Sequence, residues 1–248
     1  MKTGIITGTG KGIGLSALKL LLKKKYKIIS ITKTKSKEVE ALLKNKYFIK
    51  NIYHPLGENL LIDKKLLKEI YKKYKIDFVV CNAGVRHRDP LQKMNLKKRN
   101  HTLNVNYHSN VVLIEELLKF YNKKKFPISI VCISSIVGNF GFKNLSSYAS
   151  SKMALEGFLK SIAVEYAKKN VRINMIAPGF IKSSYYNNFI KKQKNINKWI
   201  LERTPMGRWG KPDEVSNVIE FLISEKSSYI TGSTIYVDGG WNISWKKK

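Results

Sequence analysis

The 248 residues are 43% hydrophobic, enough for a packed core and too many for a disordered chain. No run of 18 apolar residues occurs, which excludes a predicted membrane span, and the opening MKTGIITGTG meets glycine too early to read as a secretion signal. The net charge of +30 comes from 47 basic residues of which only 6 are Arg; the Lys are spread end to end with no zinc-ligand spacing or nucleic-acid-binding module, so the charge reads as solvated surface, with an acidic protein partner left open.

Residues 2–7 read as a buried strand. The turn Thr7-Gly8-Thr9-Gly10-Lys11-Gly12-Ile13-Gly14 follows, then a helix to about Lys25. Strand, glycine turn and helix form the setting a dinucleotide needs: glycines let backbone approach the pyrophosphate, and the helix N-terminus offers N–H donors. Residues 26–32 are the second strand. A carboxylate just after it would bind the ribose hydroxyls and repel a 2′-phosphate. Here the run is Thr32-Lys33-Thr34-Lys35, and Lys11 adds a further cation, so NADP(H) is favoured over NAD(H).

Helical periodicity covers 37–46, a strand 47–53 and a helix about 60–74. A buried strand at 76–81 ends in Asn82-Ala83-Gly84, a small-residue turn that lets backbone lie against a cofactor. In the loop behind it, Arg86 and Arg88 could grip an anionic substrate. A helix spans about 99–121, with Asn104, Asn106 and Asn110 in unfavourable mid-helix positions. The strand 128–134 delivers Ser134 and Ser135 at its carboxyl end, where open α/β sheets place ligands. Cys81 and Cys132 sit in buried-strand runs and read as reduced core thiols, which suits the cytoplasm.

A helix over 148–168 puts Tyr148 and Lys152 one turn apart on one face. An ammonium beside a phenol favours the phenolate, so such a tyrosine can pass protons near neutral pH. The spacing alone is common in a chain with 13 Tyr. A strand at 171–177, Pro178-Gly179-Phe180-Ile181, a polar and aromatic stretch at 183–203 read as a substrate lid, a helix at 213–224 and a last strand at 235–237 complete the chain. No linker or internal repeat divides it, and residues 1–248 read as one domain.

In this order and spacing, TGxxxGxG at 7–14, NAG at 82–84, Asn106, Ser135, Tyr148 with Lys152, PGFI at 178–181 and YITGSTIYVDGG at 229–240 resemble the short-chain dehydrogenase/reductase family over essentially the whole chain. The resemblance implies an α/β fold: a Rossmann-type doubly wound parallel sheet of seven strands, order 3-2-1-4-5-6-7, with helices on both faces. It implies a catalytic set in which Tyr148 exchanges a proton with the substrate oxygen. Lys152 supports Tyr148 and holds the nicotinamide ribose, Ser135 hydrogen-bonds the carbonyl, and Asn106 links Lys152 to solvent through water. Gly8, Gly10, Lys11, Gly12, Ile13, Gly14, Lys33, Asn82, Ala83, Gly84, Pro178, Gly179, Ile181 and Ser183 would join Tyr148 and Lys152 around the cofactor. Ser135, Arg86 and Arg88 would face substrate, and no metal is implied.

The acid that commonly holds the adenine after the third strand is missing from Asn51-Ile52-Tyr53-His54-Pro55. The expected reaction is interconversion of a ketone and a secondary alcohol. The motif set and C-terminal pattern resemble the 3-oxoacyl-(acyl-carrier-protein) reductases, whose substrate is carrier-bound. The NAGVRHRDP loop and VDGGW resemble sugar-acid dehydrogenases such as gluconate 5-dehydrogenase. A non-catalytic cofactor- or nucleic-acid-binding protein on the same scaffold is the alternative from another class. The resemblance also implies a homotetramer built through 99–121, 148–168 and the C-terminal segment.

Overall fold

The computed structural model describes residues 1–54, 63–124, 126–182, 186 and 194–244. The strands are β1 (Thr3–Thr7), β2 (Lys27–Thr32), β3 (Phe48–Tyr53), β4 (Phe78–Cys81), β5 (Ile128–Ile133), β6 (Val171–Pro178) and β7 (Thr234–Val237). They form one sheet in the order 3-2-1-4-5-6-7, every pairing parallel. The helices are α1 (Gly12–Lys23), α2 (Lys37–Leu42), α3 (Lys64–Lys73), α4 (Leu96–Leu103), α5 (Ser109–Lys124), α6 (Ser146–Tyr166), α7 (Lys194–Arg203) and α8 (Pro212–Ile223).

A parallel sheet of this kind is buried on both faces, so its strands read as continuous apolar runs rather than alternating ones. Successive side chains still part to opposite faces. Ile5, Ile29, Val79, Ile130 and Ile173 pack with Leu67 and Tyr71 of α3, Leu113 and Leu117 of α5, and Leu155 and Leu159 of α6. Ile6, Ile28, Val80, Val131 and Ile176 pack with Leu18 and Leu21 of α1 and Val215 and Ile219 of α8. A third cluster, built on Ile136, Ile200, Trp209 and Trp241, lies beyond the strand ends and includes Tyr148 at its edge.

From β1 the chain steps outward through β2 to β3, then returns to place β4 on the other side of β1. The order therefore reverses between β1 and β4, and the crevice beyond their carboxyl ends is where such sheets bind ligands. The helix expected over 99–121 is present, running through α4 and α5 with a π-helical segment, Asn104–His108, between them. The Asn104 carbonyl accepts from the Ser109 hydroxyl at 2.8 Å, and the Asn106 carbonyl from Asn110 Nδ2 at 2.8 Å. The side-chain bonds add to main-chain ones, since the Asn104 carbonyl also accepts from the Ser109 N–H, and π segments are frequent at functional positions. Among the described residues, no helix is long and apolar enough to cross a membrane, and no group of three His, Cys, Asp or Glu could hold a metal ion.

Candidate active site

Two glycines are dictated by close approach at the switch point. A Cβ on Gly14 would lie 2.2 Å from the Gly8 carbonyl oxygen, and one on Gly8, where φ is +71°, would lie 2.7 Å from Ala83 Cα. That packing draws the β1 and β4 turns together, and Thr7 stitches them. Its Oγ1 accepts from the N–H groups of Asn82 and Ala83, both at 3.0 Å. Asn82 Nδ2 donates back to the carbonyls of Thr7 (3.1 Å) and Gly8 (2.9 Å). The N-terminus of α1 has no side-chain cap and no acid in its first turn. Its first N–H groups have no partners within the helix, and the field there favours an anion.

The resulting groove has a volume of about 810 Å³ and is lined by Gly8, Gly10, Lys11, Gly12, Ile13, Asn82, Ala83 and Gly84, with the run Thr32–Glu38 along its far side. Lys33, Lys35 and Lys37 lie in that run. So does Glu38, whose carboxylate accepts from the Ser36 hydroxyl at 2.8 Å. That bond, then its own backbone N–H and the nearby Lys19 and Lys37, hold the Glu38 carboxyl below its ordinary range. On β3, the Asn51 side chain has both polar atoms buried without a protein partner, as does His54 at Nε2. Buried polar groups are normally satisfied, and neither residue lines the groove.

A second cavity of about 490 Å³ shares Ile13, Asn82, Gly84, Val85 and Ile181 with the groove, so the two are continuous. Ser135, Tyr148, Lys152, Pro178 and Gly179 line it, as do Arg86 and Arg88. Its remaining wall is largely apolar, with Ile136, Val137, Phe142, Phe180, Trp199 and Trp209. Tyr148 and Lys152 lie on α6, with the Lys152 ammonium 5.8 Å from the Tyr148 ring centroid. Lys152 is buried, and its Nζ donates to the Ile133 carbonyl at 2.7 Å. An ammonium taken from water without such partners would be strongly destabilising. A Cβ at Gly84 would sit 3.7 Å from that Nζ and 3.4 Å from Asn106 Oδ1, in ordinary contact with both, so Gly84 lies beside the two side chains.

Asn106 is completely buried and acts as a clamp. Its Oδ1 accepts from the Val85 N–H at 2.8 Å; its Nδ2 donates to the Val85 carbonyl at 3.0 Å and to Ser151 Oγ at 2.9 Å. Both amide hydrogens are thereby used, and the side chain is fixed between the Gly84 turn and α6. The two serines at the end of β5 part company. Ser134 donates its hydroxyl to Glu156, a buried carboxylate one turn beyond Lys152 that also accepts from Thr234 at 3.1 Å. Ser135 accepts from the Val137 N–H at 3.2 Å, which leaves its hydroxyl hydrogen to donate into the cavity. Cys81 and Cys132 face each other across β4 and β5, and burial, with the Cys81 thiol alongside, pushes the Cys132 thiol up.

The fold therefore gathers almost every residue singled out in the sequence into one cleft. Ser183 lies outside the described residues, as does much of the stretch 183–203; its described part contributes α7, and Tyr186, Ile196 and Trp199 line the cavity. Sequence reasoning passed over Thr7, Glu38, Lys143, Ser151 and Glu156. Thr7 and Glu156 act by hydrogen bonds to residues distant in the chain, which no local pattern marks.

This fold and cleft are those of an oxidoreductase that interconverts a ketone and an alcohol, and the chain belongs to the short-chain dehydrogenase/reductase family. A family model described as enoyl-(acyl carrier protein) reductase matches residues 62–242. The 3-oxoacyl-(acyl-carrier-protein) reductase of Buchnera aphidicola is 36% identical over 208 residues, covering 79% of this chain and 80% of its own length. A 4-hydroxyisoleucine dehydrogenase solved with NADH superposes with a TM-score of 0.92 at 27% identity, covering 99% of this chain and 100% of its own. A structure described as a putative gluconate 5-dehydrogenase from Beutenbergia cavernae, with NADP at low occupancy, gives 0.88 at 26% identity, covering 98% and 97%.

Proposed function

We propose that the chain is an NADP(H)-dependent reductase of small or carrier-bound ketones, with 3-oxoacyl thioesters as the leading substrates. The observation that carries the reading is the placement of Ser135, Tyr148 and Lys152 in one cavity continuous with the glycine-turn groove. The groove fits a nicotinamide dinucleotide: Gly8 and Gly14 permit close backbone approach, the α1 N-terminus suits a pyrophosphate, and Lys152 reaches toward Gly84 between groove and cavity. When bound, the nicotinamide supplies the hydride. The chain's own residues handle the oxygen. Tyr148 donates the proton that the reduced carbonyl oxygen takes up, and Ser135 donates a hydrogen bond that steadies the developing negative charge. Lys152 holds its ammonium beside the Tyr148 ring, and the proton that Tyr148 gives up is replaced from solvent.

Lys11, Lys33, Lys35 and Lys37 around the groove support NADP(H) over NAD(H), against a single carboxylate, Glu38, already engaged by Ser36. The apolar wall of the cavity supports an acyl body over a sugar acid. The sugar-acid reading keeps one supporting observation, Arg86 and Arg88 beside the cavity. The same reading takes the protein as a cytoplasmic homotetramer. The test is NADPH consumption with acetoacetyl thioesters and with 5-keto-gluconate. Tyr148→Phe should abolish turnover while NADPH still binds, and NADPH should give a higher kcat/KM than NADH. Undiminished turnover in Tyr148→Phe would sink the mechanism; NADPH binding with no turnover of any ketone would point to the non-catalytic alternative.

A further inference from the structure

Three of the chain's 4 tryptophans gather on one side of the reaction cavity. Trp199 and Trp209 line it. Trp241 does not, yet it is the most deeply buried of the three, at 1% exposure. Its ring centroid lies 4.9 Å from that of Phe180, 5.2 Å from that of Trp199 and 6.2 Å from that of Phe142, the last nearly parallel at 23°. Phe142, Phe180 and Trp199 all line the cavity. They come from three places in the chain: the segment after Ser135, the segment after β6, and α7. Trp241 stands behind all three, as the shared backing of that wall.

The C-terminal segment reaches this place by bonds that do not involve the indole. After β7 the Asp238 carboxylate accepts from the N–H groups of Gly240 at 3.0 Å and Asn242 at 2.7 Å. The Gly239 carbonyl accepts from the Met206 N–H at 3.1 Å, and Ser244 Oγ donates to the Arg203 carbonyl at 3.0 Å. The segment is therefore fastened near the end of α7 on both sides of Trp241. The indole Nε1 is buried with no hydrogen-bond partner among the described residues. Buried polar groups are normally satisfied. An indole kept here with its N–H unpaired serves by the size and shape of its ring, which is held by contact, including the Arg203 guanidinium 4.8 Å from its centroid.

Resting on the ketone-reductase reading, we propose that Trp241 is a positioning residue that sets the depth of the cavity: by backing Phe142, Phe180 and Trp199 it limits the length of the acyl body that can be accepted. A large side chain removed from a packed interior leaves space that its neighbours fill only in part. The rings in front of Trp241 can then give way into that space, and the cavity deepens. An apolar substrate that extends into the added depth gains, at about tenfold or more for each methylene that finds room.

The test compares acetoacetyl- and 3-oxodecanoyl-N-acetylcysteamine with NADPH in the wild type, Trp241→Ala, Trp241→Leu and Trp241→Phe, with NADPH affinity and a thermal melt as controls. In the Ala and Leu variants the ratio of kcat/KM, long over short, should rise about tenfold or more. Trp241→Phe keeps a ring and loses no hydrogen bond, so its ratio should lie nearer the wild type. Both substrates meet the same active molecules, so the ratio does not change with the fraction of protein folded, and a merely structural role would leave it unmoved. A ratio that stays at the wild-type value or falls in the Ala and Leu variants overturns the proposal. Absence of all ketone turnover in the wild type is the failure of the function reading instead. The wall is then read by calorimetric titration with butanoyl- and decanoyl-N-acetylcysteamine. A shift of about tenfold toward the decanoyl thioester in the Ala and Leu variants supports the backing role; an unchanged or lower ratio, or no binding of either thioester, overturns it.

Discussion

Asn106→Ala removes three hydrogen bonds at once from a side chain with no solvent exposure. The Val85 N–H and carbonyl lose the only grip the amide supplies, and Ser151 loses a donor. Leaving a buried polar group unpaired costs about 1–3 kcal/mol. Val85 is half-buried, so water recovers part of that at its backbone, while the cavity left by the amide adds to it. A net loss of about 2–4 kcal/mol follows, or roughly 4–16 °C in Tm for a chain of this size. Urea unfolding followed by circular dichroism measures it. Asn110→Ala, which removes one bond to the Asn106 carbonyl, should lose about 1 kcal/mol. An Asn106→Ala protein within about 0.5 kcal/mol of wild type would refute the clamp, since that is the range of an unimportant surface change.

Gly14→Ala drives a Cβ to 2.2 Å from the Gly8 carbonyl oxygen and 2.4 Å from Asn82 Nδ2. It should weaken NADPH binding about tenfold or more by fluorescence titration. Gly141→Ala, with nothing within 4 Å of the new Cβ, should leave binding unchanged. Arg208 donates to both carboxylate oxygens of Glu214, at 2.6 and 3.0 Å. That bond first, then the Lys211 N–H, holds the Glu214 carboxyl down to about 2 from an ordinary 4.5. The charged form is the one stabilised, so the contribution is present above about pH 4.5 and is lost as pH falls through about 2. The pair is exposed and worth less than about 1 kcal/mol. The stability gap between wild type and Arg208→Ala in urea should be constant above about pH 5 and shrink toward pH 3; a gap that widens on acidification contradicts the assignment.

The sheet was legible because both of its faces are covered. KIISIT, FVVC and ISIVCI are short runs dominated by Ile and Val, and such runs in a glycine-punctuated chain leave few alternatives to buried parallel strands. The glycine turn and the Tyr148–Lys152 pair were legible because their chemistry depends on local spacing. The π segment at Asn104–His108 was only hinted at, by three asparagines out of place in a helix. It moves the Asn104 carbonyl onto the Ser109 N–H, five residues on, a shift that helical periodicity does not mark. The meeting of the loop beyond Gly84 with the segment after Phe142 was hidden, since it rests on one main-chain bond between Asp89 and Asn144. Ser134 and Ser135 differ in structure through Glu156, which sits two turns into α6 beyond Tyr148 and carries no motif of its own.

The grips on the loop beyond Gly84 have a consequence for how this chain could change. Asn106 takes Val85 by its peptide atoms, and Asn144 takes Asp89 by its peptide N–H. Neither grip reads a side chain between residues 86 and 88. The main-chain grips at Val85 and Asp89 would survive substitution of Arg86 and Arg88, whereas His87 packs against His101. A saturation library at Arg86 and Arg88, selected for turnover of other ketones, would explore new substrates while the reaction machinery stays in place, and the same freedom is open to natural drift.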